Sequence, residues 1–194
     1  MAVNPQWGEL LIGAYHQRVT KCEIVSYNHR SEEQGNQMEA DVIAIKSDID
    51  TRQQTVYACE VVTHMDGKLY SGSMPDTDRW GEFGNKDYQH SLDKLWTKFK
   101  NDHRYVKNTF EEADVYKFQF WSPVVTGWEN GGYLIDGLEH LKAEFEEETG
   151  YELELVINQD YTDRITTLKE KARGDTSDYG SPAFRVLQIL ENLK

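Results

Sequence analysis

Asn36-Gln37-Met38-Glu39-Ala40-Asp41-Val42-Ile43-Ala44-Ile45 is followed, after a polar gap, by Val56-Tyr57-Ala58-Cys59-Glu60-Val61-Val62-Thr63-His64. Both stretches carry the mix of β-branched, aromatic and small apolar residues found in buried strands, and the polar run 47–55 between them reads as a hairpin connection. Each also carries an acid inside its apolar run. Side chains alternate along a strand, so Glu39, Asp41, Ile43 and Ile45 share one face of the first strand, and Ala58, Glu60, Val62 and His64 share one face of the second. Where those two faces coincide, Asp41 and Glu60 converge.

Burying a carboxylate without a partner is costly, so two acids in neighbouring buried strands require a cation, a basic side chain, or exposure at a strand end. A hard divalent cation is the most economical of the three. Oxygen ligands on rigid strands suit magnesium or manganese, which keep several waters and take one or two carboxylates from the protein. The alternative is that Asp41 ends a turn and Glu60 pairs with a nearby Lys or Arg.

The chain has 194 residues, 38% hydrophobic and 28% charged, which fits one domain with a modest core and a wet surface. The expected division is a core over about 4–125 and a C-terminal helical and strand extension over about 126–194. No apolar run approaches the roughly 20 residues that cross a bilayer, and 1–6 lacks the basic and apolar regions of a signal peptide. The expected setting is cytoplasmic, with no membrane partner. Cys22 and Cys59 both lie in strand-like runs without metal-ligand spacing, so reduced buried thiols are expected.

A net charge of −13 constrains any binding to nucleic acid, because phosphate recognition needs Lys and Arg concentrated on one face. The acids do crowd elsewhere, at Glu144, Glu146, Glu147 and Glu148, while Lys94, Lys98, Lys100, Arg104 and Lys107 gather on one stretch. That cluster is either a solvated helix face or a contact for phosphates, with Lys94 and Lys98 the candidates nearest a site.

Asn4-Pro5 starts a helix over about 5–19, with Leu11, Ala14, Tyr15 and Val19 at helical spacing and Glu9 near its beginning. A strand over 22–27 follows, then a polar loop over 28–37 that leads into the strand of Asp41. The long polar segment beyond His64 holds Tyr70, Trp80, Phe83 and Tyr88, and reads as a partly ordered loop close to a site. Leu92, Leu95, Trp96 and Phe99 mark an amphipathic helix over about 91–106. Strands are expected over 115–121 and 153–157, and helices over 135–149, 162–172 and 182–193, with Gly150 capping the first of these. Trp121, Trp128 and Tyr133 offer either core packing or a stacking platform.

This order is that of an α/β fold. An N-terminal helix with a glutamate, a strand with an acid after a glycine-containing loop, and a strand with Glu two places before a position usually held by Lys resemble the PD-(D/E)xK nuclease superfamily. The stretch from Gly35 through Glu39-Ala40-Asp41-Val42-Ile43-Ala44 is similar to the Gly…Glu-x-Asp-hydrophobic pattern of its restriction enzyme-like and Holliday junction resolvase-like branch. The resemblance covers roughly the first 120 residues. It implies a restriction endonuclease-like α-β-β-β-α-β core, a mixed central sheet flanked by helices, and additional C-terminal helices.

The resemblance further implies that Asp41 and Glu60 bind Mg2+ or Mn2+, that the Val61 carbonyl completes the shell, and that Glu9 lies nearby. Catalysis would then rest on Glu9, Asp41, Glu60 and His64. One departure stands out: Val62 occupies the position of the motif lysine. His64, two residues along the same face and about 7 Å away by strand rise, is one substitute. A lysine from the following helix, Lys94 or Lys98, is the other.

The expected activity is therefore a metal-dependent DNA endonuclease, in defence or repair, with a homodimer as one expected assembly. A catalytically inactive member that binds nucleic acid or a partner protein in the same cleft is the alternative, favoured by the net charge and by Val62. A structural module presenting its acidic helix as a phosphate mimic is a third.

Overall fold

The computed structural model describes residues 4–30, 39–63, 91–125 and 133–193. His64, the aromatic-bearing segment that follows it, and Trp128 with the glycines around it lie outside the described residues.

Helix α1 (Trp7–Tyr15) is followed by strands β1 (Ile24–Arg30), β2 (Glu39–Ser47) and β3 (Gln54–Val61), helix α2 (Ser91–Thr109), strand β4 (Val115–Ser122), helix α3 (Tyr133–Thr149), strand β5 (Leu153–Ile157), and helices α4 (Asn158–Ala172) and α5 (Pro182–Asn192). The five strands form one open mixed sheet in the order β1-β2-β3-β4-β5. β2 pairs antiparallel with β1 on one side and with β3, through a hairpin, on the other, whereas β3, β4 and β5 run parallel. Parallel neighbours need a crossover, and α2 and α3 supply the two required here. The protein is thus α/β, as its element order predicts.

Strand alternation sorts the apolar residues into two layers. Ile43, Ile45, Val56, Ala58, Phe118 and Phe120 face Leu92, Leu95, Phe99, Leu138, Leu141 and Phe145 of α2 and α3. On the opposite side Val42, Ala44, Tyr57, Cys59, Trp121 and Val156 pack with Ile12 of α1 and Tyr161 of α4. Helix α5 closes over α1 and α4 through Ala183 and Phe184 against Ala14, Leu168 and Ala172. Residues 133–193 are therefore structural partners of the earlier strands: β5 extends the sheet and α3 packs into its core.

Two contacts fix α1 on the sheet. A Cβ on Gly8 would lie 2.2 Å from Thr63 Cγ2, and a Cβ on Gly13 would lie 2.1 Å from the Tyr27 hydroxyl oxygen. Only glycine admits so close an approach. The N-terminus of α1 consequently sits beside the chain as it leaves β3.

Several boundaries differ from those the sequence suggests. The α-helical part of the first helix stops at Tyr15 and the chain continues as a π-helical turn, His16–Thr20, closed by Lys21 at φ 68°. The wider turn sets the His16 ring inward, 4.8 Å from the Tyr57 ring and 5.9 Å from that of Trp121. Strand β1 runs on through Asn28, which takes φ 53° without shifting the pairing: Tyr27 opposes Val42 and His29 opposes Ala40. Asparagine tolerates that left-handed geometry better than most residues. Helix α4 starts early because Asn158, at φ 52°, ties its side-chain amide to both the N–H and the carbonyl of Val125. Gly150, at φ 74°, ends α3 in the expected manner.

Candidate functional site

The register of β2 on β3 ends with Val42 opposite Cys59, so the next pair outward is Asp41 and Glu60. Directly opposed residues of an antiparallel pair share a face. Both acids point to the α2 side, with Ile43 and Ile45 below one and Ala58 and Val56 below the other. Asp41 lies near the start of its strand and Glu60 next to the end of its own, which puts the pair at one end of two interior strands.

Asp41 is 8% exposed and Glu60 is fully buried. The Asp41 Oδ2 atom accepts the N–H of Val61 at 2.8 Å, which orients that carboxyl across β3. Lys98 of α2 completes the arrangement. Its Nζ donates to Glu60 Oε2 and stands 3.7 Å from Asp41 Oδ1, while its side chain remains 34% exposed. Of the explanations that two buried acids require, the basic side chain is therefore the one in place, and it comes from the helix after β3.

A third acid adjoins the pair. Asp102, one helical turn beyond Lys98, is 1% exposed and lies within hydrogen-bonding reach of Glu60. Two ionised carboxylates have no hydrogen to give one another, and Glu60 Oε1 and both Asp102 oxygens lack a donor. Sequence reasoning passed over Asp102. Its signal was present: position 102 falls on the stripe of Leu92, Leu95, Trp96, Phe99 and Val106, where an acid is out of place.

The electrostatics follow from this crowding. Burial pushes the Glu60 carboxyl well above the usual carboxylate range, Asp102 and Asp41 push it further, and Lys98 opposes them. Burial likewise drives Asp102 up to about 7, against the pull of Glu60 and Lys98. For Lys98, burial disfavours the charge, but Glu60 and Asp41 overcome it and hold the proton more tightly than usual. With every group ionised, three carboxylates face one ammonium, an excess of two negative charges.

Glu9 is 5% exposed, and its Oε2 accepts the N–H of Gln6 at 2.9 Å in a capping box at the start of α1. The close contact of Gly8 with Thr63 puts that helix start beside the residue two places beyond Val61. Lys94 is exposed, one turn before Lys98 on α2. Elsewhere in the basic cluster, Lys100 pairs with Glu148 at 2.5 Å, and Lys107 donates to the Tyr151 hydroxyl at 2.9 Å. Val62, at the motif lysine's position, is 9% exposed and packs in the apolar layer under α2.

Trp121 does not belong to an exposed stacking platform. It is fully buried on the opposite face of the sheet, with its indole N–H donated to Gln119 Oε1 at 3.1 Å. Cys22 and Cys59 are buried free thiols, as expected. Among the described residues no helix is long and apolar enough to cross a membrane.

Among the described residues no group of three or more His, Cys, Asp and Glu side chains is arranged to hold a metal ion. Asp41 and Glu60 alone supply the two hard carboxylates that magnesium or manganese commonly takes from a protein. The Glu60 Oε1 atom is buried and without a donor, and the Lys98 ammonium lies against both acids. Two carboxylates, one of them bonded to Lys98, are what this point offers a divalent ion.

No protein-family model, curated protein or solved structure matches this chain. Its own residues carry the functional reading.

Proposed function

We propose that this protein is a divalent-metal-dependent DNA endonuclease of PD-(D/E)xK type, with Lys98 in place of the lysine that the motif lacks. The observation that carries the reading is the approach of one ammonium, delivered from α2, to both Asp41 and Glu60 at one end of strands β2 and β3. The arrangement of elements supports it: a helix, three antiparallel strands, a crossover helix and a parallel fourth strand are what a restriction endonuclease-like core requires.

In this reading Asp41 and Glu60 hold Mg2+ or Mn2+, with the Val61 carbonyl as a further oxygen. The ion supplies Lewis-acid stabilisation of a phosphodiester and a more acidic bound water. Asp41 is oriented for its part by the Val61 N–H. Lys98, held against Glu60 yet a third exposed, is placed to offset phosphate charge and to orient the attacking water. Lys94, exposed on the preceding turn, adds a second positive charge on that helix for the DNA backbone. Glu9 sets the start of α1 beside the end of β3. The setting is a cytoplasmic defence or repair system, with a homodimer as one assembly able to cut both strands.

A catalytically inactive DNA- or protein-binding module is the second reading. The net charge of −13 favours it, and so does Val62 at the position of the motif lysine. Supercoiled plasmid in the presence of Mn2+ separates the two. The endonuclease reading expects nicked and linear products from the wild type and at least about a hundredfold slower cleavage by Asp41→Asn, Glu60→Gln and Lys98→Met. Wild-type protein that leaves plasmid intact, or a Glu60→Gln variant as active as the wild type, rejects it. Comparing Lys98→Met with His64→Ala identifies which residue replaces the motif lysine, because only the true substitute should abolish cleavage.

A further inference from the structure

Lys100, Arg104 and Lys107 are spaced four and three residues apart on α2, so they form one stripe that runs about 10 Å along the helix. Lys100 is two residues on from Lys98, which turns the stripe about 200° around the helix from the lysine that meets Asp41 and Glu60. The chemistry proposed above makes no use of it. The stripe lines an open cleft of about 390 Å3, which Glu148 and Thr149 at the end of α3 bound on the other side. His103 also lines the cleft, and its ring packs 5.4 Å from that of Tyr151 and 5.7 Å from that of Phe118.

Three permanent cations on two turns of one helix repel one another unless something offsets them. Glu148 offsets one. It pairs with Lys100 at 2.5 Å, but both side chains are partly in water, where an ion pair contributes little and gives way readily. Among the described residues Lys107 has no carboxylate partner: its ammonium donates to the Tyr151 hydroxyl at 2.9 Å and lies 4.2 Å from the centre of the Tyr116 ring. Arg104 is exposed and forms no ion pair or hydrogen bond among the described residues. The dipole of α2 favours a cation in its last turn, which accounts for Lys107 but not for Lys100 or Arg104. Three cations against one carboxylate leave an excess of two positive charges, on a chain whose net charge is −13. The His103 ring registers that excess: burial lowers its pKa, and Lys107 and Arg104 lower it further against Glu148.

We infer that this cleft binds a phosphate group, held by Arg104 and Lys107, with Lys100 joining them as it leaves Glu148. A dianion matches the two unmet charges, whereas a carboxylate would leave one. A tetrahedral group also suits the donors, because the Arg104 guanidinium can fork onto two oxygens while an ammonium takes a third. Asn108, exposed on the next turn, adds a neutral amide at the rim. The group is either free, as inorganic phosphate or a phosphomonoester, or part of a nucleic-acid backbone, where two successive phosphates meet the same two charges. The site stands whether or not the protein is a nuclease.

Isothermal titration with sodium phosphate at about pH 8, at low ionic strength held constant with chloride, tests it. Wild-type protein should take up one phosphate. Arg104→Gln and Lys107→Met should each weaken binding by about tenfold or more, and Glu148→Gln, which frees Lys100, should tighten it by about threefold. Arg104 is exposed and outside the core, so its replacement leaves the fold in place, and circular dichroism verifies this for every variant. Wild-type protein that takes up no phosphate, or an Arg104→Gln variant that binds as well as the wild type, overturns the inference. So does weaker binding by Glu148→Gln, because the carboxylate would then belong to a different kind of site. An oligodeoxynucleotide without terminal phosphates, titrated into wild type and Arg104→Gln, tells the two sources apart. A backbone ligand binds the variant more weakly and is displaced by phosphate, whereas a site for free phosphate or a phosphomonoester leaves oligonucleotide binding equal in the two proteins.

Discussion

Lys98 reaches from the middle of α2 to the Glu60 carboxylate next to the end of β3, forming an ion pair that is fully buried on the acid's side and a third exposed on the lysine's. The asymmetry governs what each residue can do. Glu60 cannot be hydrated if its partner leaves, whereas Lys98 can turn outward to water or to a phosphate.

Removing the lysine while keeping its bulk should therefore destabilise the fold. Breaking a buried ion pair from one side costs about 3–5 kcal/mol, because the remaining charge is left unpaired. The loss should shrink in acid, where Glu60 takes up a proton and no longer needs the ammonium. Urea unfolding of wild type and Lys98→Met at about pH 8 and about pH 5 measures both effects. A variant equally destabilised at the two values would show that the ammonium contributes by packing alone.

Asp102 carries a pH dependence of the opposite kind. Its folded-state value of about 7 lies above the usual 3.8, with burial as the main cause. The native protein then holds a proton that the unfolded chain has already released. Stability accordingly falls as pH rises through the interval between those two values and levels off above it, with a slope of at most about 1.4 kcal/mol per pH unit. Because Glu60 adjoins it, the titration belongs to the pair. Asp102→Asn should remove most of this slope, leaving the variant more stable than wild type at about pH 8 and no more stable at about pH 4. Denaturant midpoints across that range provide the check.

His16 acts in the other direction. It is fully buried, with Nδ1 lacking a partner and Nε2 3.4 Å from Cys59 Sγ, and burial lowers its pKa from 6.5 to about 3. Here the unfolded chain binds the extra proton. Stability is intact above 6.5 and is lost as pH falls from there toward 3, again by up to about 1.4 kcal/mol per unit. A His16→Phe variant should show a flatter acid limb, even if its stability at neutral pH is lower. Thermal melts at about pH 7 and about pH 5 compare the two slopes.

The parts of this molecule that sequence made legible are those governed by a strict period. Alternation along β2 and β3 puts Asp41 and Glu60 on one face, and both point to α2. The apolar repeat of α2 gives that helix, and its place directly after β3 made Lys98 a candidate to stand in for the motif lysine. Asp102 was hidden by the same repeat: a stripe is read from its apolar members, so the acid within it was absorbed as noise. The π-helical turn at His16 and the left-handed Asn28 and Asn158 were not legible either. Each is a local backbone choice imposed by tertiary contacts, and no apolar period announces such a choice. Trp121 illustrates a further limit, since a tryptophan at a strand end suits a stacking surface and a core equally until the opposite helices are in place.

The docking of α1 offers a test independent of any chemistry. Gly13 faces the Tyr27 ring so closely that an added Cβ would stand 2.1 Å from the hydroxyl oxygen and 2.6 Å from Cε1 and Cζ. Trimming the hydroxyl alone would not make room, because the ring carbons are also too near. Gly13→Ala must therefore push α1 away from β1 or rotate Tyr27, and overpacking of this kind costs about 1–3 kcal/mol. The gain in helix propensity from alanine, about 1 kcal/mol, offsets only part of that cost. Pairing Gly13→Ala with Tyr27→Val, which empties the space the ring fills, should recover most of the loss, whereas Tyr27→Phe should not. Denaturant unfolding of the three single variants, the two double variants and the wild type forms the two cycles, and a Gly13→Ala variant as stable as the wild type would show that α1 is not seated on Tyr27 as described.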